Sequence, residues 1–179
     1  MYIIKGGEEL AKDRASKLRY NLTYNINHPN HTMVYPTNGW HFNEYVYKRD
    51  IYGKKLNRVE LSLIHLRTKK YKEVLSNSRY SLCPRGIGPA SIRFWESLGA
   101  GAIPVNISDD FWLPGEDYFN WDSCVVTVKE KDILDIPDIS KEQEHELREN
   151  ALNVFKMFTG ENFISPIKHK LLGVFPELD

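Results

Sequence analysis

Arg85, Arg93 and Glu96 fall within twelve residues of one another in the stretch Ser81 to Val105, SLCPRGIGPASIRFWESLGAGAIPV, which places two arginines and a glutamate around a glycine-containing turn. Arginine presents a planar fork of donors that matches phosphate oxygens. Gly86 and Gly88 let backbone N–H groups approach an anion closely, and a helix opening just after them adds partial positive charge at the same place. Ser91 contributes a hydroxyl at that point. Glu96 lies three residues after Arg93, hence on the same helix face, where a carboxylate can accept from the two hydroxyls of a ribose as acidic residues do in dinucleotide folds. A plainer reading also fits: Arg93 and Glu96 as a helix-surface ion pair worth about 0.3 kcal/mol, with Arg85 solvated. On these residues alone both readings stand.

Other chemistry is thinner. Asp109 and Asp110 follow an apolar run and could contact a sugar or supply a base, although Asp at a strand end more often serves a turn or helix cap, the reading preferred here. Lys5 and Arg14 are early basic residues that fit either a supplementary phosphate contact or ordinary solvated positions. Trp112, Tyr118, Phe119 and Trp121 offer stacking surface, with core packing expected for at least two of them. The six histidines show no metal-ligand spacing. No Asp-x-Asp follows a hydrophobic strand, so no metal or other cofactor is expected, and arginines with helix-end amides would have to neutralise any phosphate charge.

The elements that position these residues alternate between strand and helix signals, predicting an α/β fold: a Rossmann-like, mostly parallel sheet with helices on both faces. Tyr2 to Lys5 and Thr32 to Tyr35 read as strands, and Glu8 to Leu22 as an amphipathic helix. Pro36 to Lys55 has no sustained period and reads as a long loop. Leu61 to Leu66 fits a strand or part of a helix, and Tyr71 to Ser76 a short helix. Arg79 to Cys83 is a strand, stopped by Pro84 and the glycines. The next helix is expected to have Gly88 at its cap and Pro89 in its first turn, with Ile92, Trp95 and Leu98 beside Phe94 on its apolar side. Gly99 and Gly101 end it. Ala102 to Ile107 and Cys124 to Val128 are strands, Ser140 caps a helix over Lys141 to Phe158, and a last helix spans Ser165 to Leu172.

A chain of 179 residues suits one domain, 1–179, and not two Rossmann-like halves. With 24 basic and 24 acidic residues the formal charge is zero, so broad attraction to nucleic acid or anionic membrane is not indicated. No apolar stretch reaches membrane-spanning length and the first residues do not resemble a secretory signal, so a soluble chain is expected. Cys83 and Cys124 are too few for a disulfide framework and read as buried free thiols.

Several segments follow one another as in exostosin-type glycosyltransferases: the Pro84-Arg85-Gly86 turn, Ser91-Ile92-Arg93-Phe94-Trp95-Glu96, Ala102-Ile103-Pro104-Val105, Leu113-Pro114 and Asn120-Trp121. Upstream, Tyr71-Lys72-Glu73-Val74-Leu75 with Ser78 extends the likeness, and Tyr2-Ile3-Ile4-Lys5-Gly6 with Arg14 extends it more faintly. The chain thus resembles that family from about Tyr71 to Trp121. The resemblance implies the C-terminal, donor-binding half of a two-domain GT-B enzyme that transfers sugar from a UDP- or GDP-linked donor to a glycan acceptor with inversion. Under it, Arg85 and Arg93 hold the diphosphate, Glu96 the ribose, and Ser91 with the Gly86 to Gly88 backbone completes the cradle. Lys5 and Arg14 are supplementary contacts, Asp109 is the candidate base, and an acceptor-binding domain or partner chain is required. The rival reading is a binding or scaffolding module that grips the nucleotide without turnover.

Overall fold

The structure is a computed structural model that describes residues 14–25, 45, 47–86, 88–116, 119–133 and 136–159, without the side chains of 14–16, 25 and 47. The strands expected at Tyr2 to Lys5 and Thr32 to Tyr35 and the helix at Ser165 to Leu172 lie outside the described residues.

Branched apolar residues organise the sheet. Strand β2 (Ile103–Ile107) is buried at every position, the pattern of a central parallel strand covered on both faces. Strand β1 (Tyr80–Pro84) flanks it in parallel with Tyr80 opposite Ile103 and Pro84 opposite Ile107. Strand β3 (Val126–Val128) flanks the other side, also parallel, with Val105 opposite Val126. Proline has no N–H for a ladder, and Pro84 closes β1. The ladder takes one more step, the Arg85 N–H donating to the Ile107 carbonyl at 3.0 Å, which sets Arg85 at the carboxyl end of the sheet.

Helices cover both faces, so the α/β Rossmann-like reading holds. On one face, Leu18 of α1 (Arg14–Tyr20) and Leu22 of the π-type turn Asn21–Asn25 pack on Leu82, Val105, Ile107 and Val128. On the other, Phe94 and Leu98 of α3 (Ile92–Ala100) and Ala151 and Val154 of α4 (Lys141–Met157) close over Cys83, with Trp121, Cys124 and Val125. Each large side chain buried this way is worth about 1.5 to 3 kcal/mol.

Three boundaries and one helix face differ from expectation. The segments at Leu61 to Leu66 and Tyr71 to Ser76 are one helix, α2 (Arg58–Ser76), started by a capping box in which Asn57 and Glu60 satisfy each other's N–H groups. Its Leu61, Leu63 and Leu66 are exposed, which hides the helical period from the sequence. Helix α3 begins later than expected, with Ser91 in extended conformation at its cap and Gly88 and Pro89 ahead of it. The apolar side of α3 is also turned: Ile92 is 80% exposed, while Arg93, Phe94, Ser97 and Leu98 are buried. Finally, Cys124 ends the short helical turn Trp121–Ser123 before β3.

Gly101 takes the left-handed backbone at φ 68° that ends α3, and at Gly99 a Cβ would lie 2.9 Å from the Phe155 ring, so α4 can press close only on glycine. Ser140 and Gln143 form the capping box that opens α4. From α4, Arg148 donates to the carbonyls of Ser76 at 2.6 Å and Ser78 at 2.9 Å, satisfying the carboxyl end of α2. Both thiols are free and buried, and burial pushes Cys83 up to about 11 and Cys124 up to about 12. Among the described residues no helix is long and apolar enough to cross a membrane.

Candidate functional site

Two clusters of charge gather where β1 and β2 end and α3 begins. The first surrounds Arg85. Its guanidinium lies 2.6 Å from Asp110 and 3.7 Å from Glu130, with the arginine and glutamate side chains only 12% and 10% exposed. Asp110 is 54% exposed. Arg19 reaches across from α1 and donates to the carbonyls of Arg85 at 3.1 Å and Pro84 at 3.4 Å, pinning the backbone that carries Arg85. Asp109 and Glu130 bind each other reciprocally: the Asp109 carboxylate accepts from the Glu130 N–H at 3.0 Å, and the Glu130 carboxylate from the Asp109 N–H at 3.3 Å. Asp109 therefore straps two loops together.

The second cluster is built by α2 and α3. The Arg93 guanidinium lies 5.1 Å over the centre of the Tyr71 ring, and Arg93 is 8% exposed. The Tyr71 hydroxyl donates to Glu96 Oε2 at 2.5 Å. Burial, with the glutamate beside it, pushes the Tyr71 phenol far above its ordinary range, so it stays a donor at any physiological pH. Beneath this cluster, Ser97 donates to the Arg93 carbonyl at 2.6 Å, and its oxygen lies 2.8 Å from the Ser81 hydroxyl, tying α3 to β1.

The structure thus brings Arg93 and Glu96 together through Tyr71, and gathers Arg85, Asp109 and Asp110 around Glu130. Gly86 and Gly88 link the two clusters along the chain. Neither has a left-handed backbone, and a Cβ added at Gly88 would meet none of the described residues within 4 Å. Ser91 is buried and makes no capping hydrogen bond through its side chain. Lys5 lies outside the described residues. Arg14 is the first residue of α1, and its side chain is likewise outside the description. Of the aromatic residues after β2, Trp121 is buried and donates from its indole N–H to the Pro114 carbonyl at 3.0 Å, Phe119 packs against it, and Trp112 is 82% exposed. Tyr118 is outside the described residues. Among the described residues no group of three His, Cys, Asp or Glu side chains could hold a metal ion.

Three participants were given no site role from the sequence. Arg19 and Glu130 are distant in sequence from what they hold, and nothing local announces them. Tyr71 belongs to a segment that marks the family resemblance, and its partnership with Glu96 arises only because α2 packs on α3.

The profile of the exostosin GT47 domain matches residues 19–142 of this sequence. The chain belongs to the exostosin GT47 family. That family comprises glycosyltransferases, and the matched region holds Arg85, Gly86, Gly88, Ser91, Arg93, Glu96 and Asp109, while Lys5 and Arg14 precede it. The chain is similar to an exostosin-1 homolog of Caenorhabditis elegans, with 41% identity over 93 residues that cover 50% of this chain and 24% of the worm protein. It is also similar to exostosin-1 of Drosophila melanogaster, 41% over 69 residues, covering 38% of this chain and 9% of the fly protein. With exostosin-1 of Bos taurus the identity is 32% over 102 residues, 57% of this chain and 14% of the relative. The chain spans 24% or less of the length of these relatives.

Proposed function

We propose that this chain is the donor-binding part of an inverting exostosin-type glycosyltransferase and holds a nucleoside diphosphate sugar, UDP- or GDP-linked, at the carboxyl ends of β1 and β2. The observation that carries the reading is the Arg93–Tyr71–Glu96 cluster. A guanidinium is held rigidly over an aromatic ring, and the same tyrosine orients a carboxylate; the pair is pre-set for phosphate and ribose, which lowers the entropy of gripping both. Arg93 holds the diphosphate, Glu96 the ribose hydroxyls, and Ser91 with the Gly86 to Gly88 backbone closes the cradle. Arg85 joins when the exposed Asp110 turns aside and Glu130 keeps the guanidinium in place. Lys5 and Arg14 are supplementary contacts.

In the reaction an acceptor glycan hydroxyl attacks the anomeric carbon from the face opposite the diphosphate. The new C–O bond forms as the bond to phosphate breaks, the hydroxyl proton passes to a base, and the two arginines stabilise the departing diphosphate without a metal or other cofactor. The acceptor and its base require an acceptor-binding domain or partner chain, because near-attack geometry needs two walls and misplacement by about 1 Å can cost on the order of a hundredfold in rate. Asp109 is the carboxylate of this chain to test as base. Its tie to the Glu130 N–H favours the second reading, a module that binds nucleotide or nucleotide sugar without turnover.

Calorimetric titration with UDP and GDP in the presence of EDTA tests the binding. Heat of binding from at least one is expected; none from either at millimolar concentration overturns the assignment. Turnover then separates enzyme from module: sugar transfer by the chain supplied with an acceptor-binding domain, lost in Arg93→Ala, supports the transferase.

A further inference from the structure

Beyond the arginine clusters, a cleft of about 490 Å³ is lined by residues of β2, of β3 and of the stretches 111–116 and 119–122 between them, well within the ~300 to 1,000 Å³ of small-molecule sites. Asn106 of β2 lines it, 2% exposed, and its side-chain Nδ2 has no hydrogen-bond partner among the described residues. Its neighbours along the strand, Val105 and Ile107, are aliphatic and bury without such a cost. A buried donor left unsatisfied destabilises the fold, so an asparagine here is explained by an acceptor oxygen that arrives from outside the chain.

The rest of the lining defines that oxygen's owner. Phe111, Phe119 and Trp121 supply apolar surface. Glu116 and Asp122 supply carboxylates, which accept and never donate when ionised. Asn120 and Thr127 each offer both donor and acceptor, and among the described residues no lysine, arginine or histidine lines the cleft. The occupant must therefore offer several donating hydroxyls to the carboxylates, at least one oxygen to the buried amide, and apolar C–H surface to the rings. It must also carry no negative charge. We propose that this cleft binds an uncharged sugar ring, with the Asn106 amide as its buried donor and Glu116 and Asp122 as acceptors. Asp110 precedes Phe111 directly, so the cleft adjoins the loop that holds Arg85. The proposal rests on the cleft alone and does not require a nucleotide.

The test is ligand-observed saturation-transfer NMR on the full 179-residue chain without nucleotide. The probes are methyl glucoside, methyl galactoside and methyl galacturonide. Transfer to at least one neutral glycoside is expected, with the galacturonide about tenfold weaker, since a carboxylate facing Glu116 and Asp122 is repelled. Asn106→Leu should weaken neutral binding by about tenfold or more without lowering the melting temperature, because it removes the orphan donor and adds apolar volume. Glu116→Gln, on the exposed rim where folding is not at stake, should narrow the gap between neutral and acidic probes. Absence of transfer from both neutral glycosides overturns the proposal. So does unchanged binding in Asn106→Leu, which would assign the amide to a bound water. Should Asn106→Leu fail to fold, Glu116→Gln decides: an unchanged preference between neutral and acidic probes overturns the site.

Discussion

The two arginines at the mouth of the sheet are held in opposite ways. Arg85 is clamped by carboxylates, Asp110 at 2.6 Å and Glu130 at 3.7 Å, whereas Arg93 is stacked on the Tyr71 ring. A guanidinium between acids has much of its charge already offset and chiefly fixes the loops that meet there. One over an aromatic face is oriented by a ring whose attraction is weaker than that of an ion pair. The same residue type is thus fastened by acids in one place and laid over a ring in the other, and the difference lies in the neighbours.

The largest expected effect breaks or upholds that contrast directly. Arg93→Ala should weaken binding of a nucleoside diphosphate by about 1.5 to 3 kcal/mol, roughly ten- to 150-fold, and the bare nucleoside far less, because charge-assisted bonds to phosphate are lost. Equal losses for both ligands in parallel titrations would reduce Arg93 to a structural residue.

Next in size is the fastener itself. Glu130→Ala removes a nearly buried partner of Arg85 and should destabilise the chain by about 1 to 3 kcal/mol. Asp110→Ala, at a carboxylate 54% exposed, should cost about 1 kcal/mol or less. Urea unfolding midpoints of the two variants read the order, and a reversed order would mean that Asp110 holds the arginine.

Tyr71→Phe sharpens the other side. It keeps the ring under Arg93 and removes only the hydroxyl bonded to Glu96, so about 1 kcal/mol is expected. Nucleoside and diphosphate should weaken equally if the carboxylate serves the ribose, as proposed. Selective loss of the diphosphate would show that Tyr71 acts through Arg93 instead.

The smallest effect appears only in alkali. Cys83 is raised from 9.0 to about 11, chiefly by burial, while the positive charge of Arg93 pulls the other way. A group whose folded value is raised contributes stability that is intact below its unfolded value and lost as pH rises through the folded one. Unfolding midpoints should therefore show no Cys83 contribution to pH dependence below about pH 8.5, then a decline through about pH 11 that Cys83→Ala reduces. In Arg93→Gln the Cys83 value should move higher still, whereas the Cys124 shift, set by burial and Ser123, should stay. A Cys83 value indifferent to Arg93→Gln would place the guanidinium's charge elsewhere.

Much of the fold was legible from local chemistry. The branched run at Ile103–Ile107 reads as a buried parallel strand, and Ser140 with Gln143 announces the start of α4 through the capping box itself. The start of α3 was misplaced because proline and glycine are compatible with a first turn as well as with the loop before it, and the chain used them as loop. The apolar side of α3 was misjudged at Ile92, where an exposed isoleucine sits beside a buried arginine. Hydrophobic periodicity assumes the reverse, and it fails where a charged side chain is covered by an aromatic neighbour from another helix.

The sequence by itself determined the alternation of strand and helix, the free thiols, and the short span in which Arg85, Arg93 and Glu96 must fall, because propensity, spacing and turn chemistry act over a few residues. Tertiary structure alone decided which of these charges is spent on holding the fold. Tyr71 meets Glu96 across 25 positions, and Arg19 reaches the Arg85 carbonyl across 66. Glu130 binds Asp109 across 21, and the Asn106 Nδ2 lies beside a cleft with no hydrogen-bond partner among the described residues. Partnerships at such separations depend on how helices and strands pack, and burial and unmet hydrogen-bonding capacity come into being only when that packing is complete.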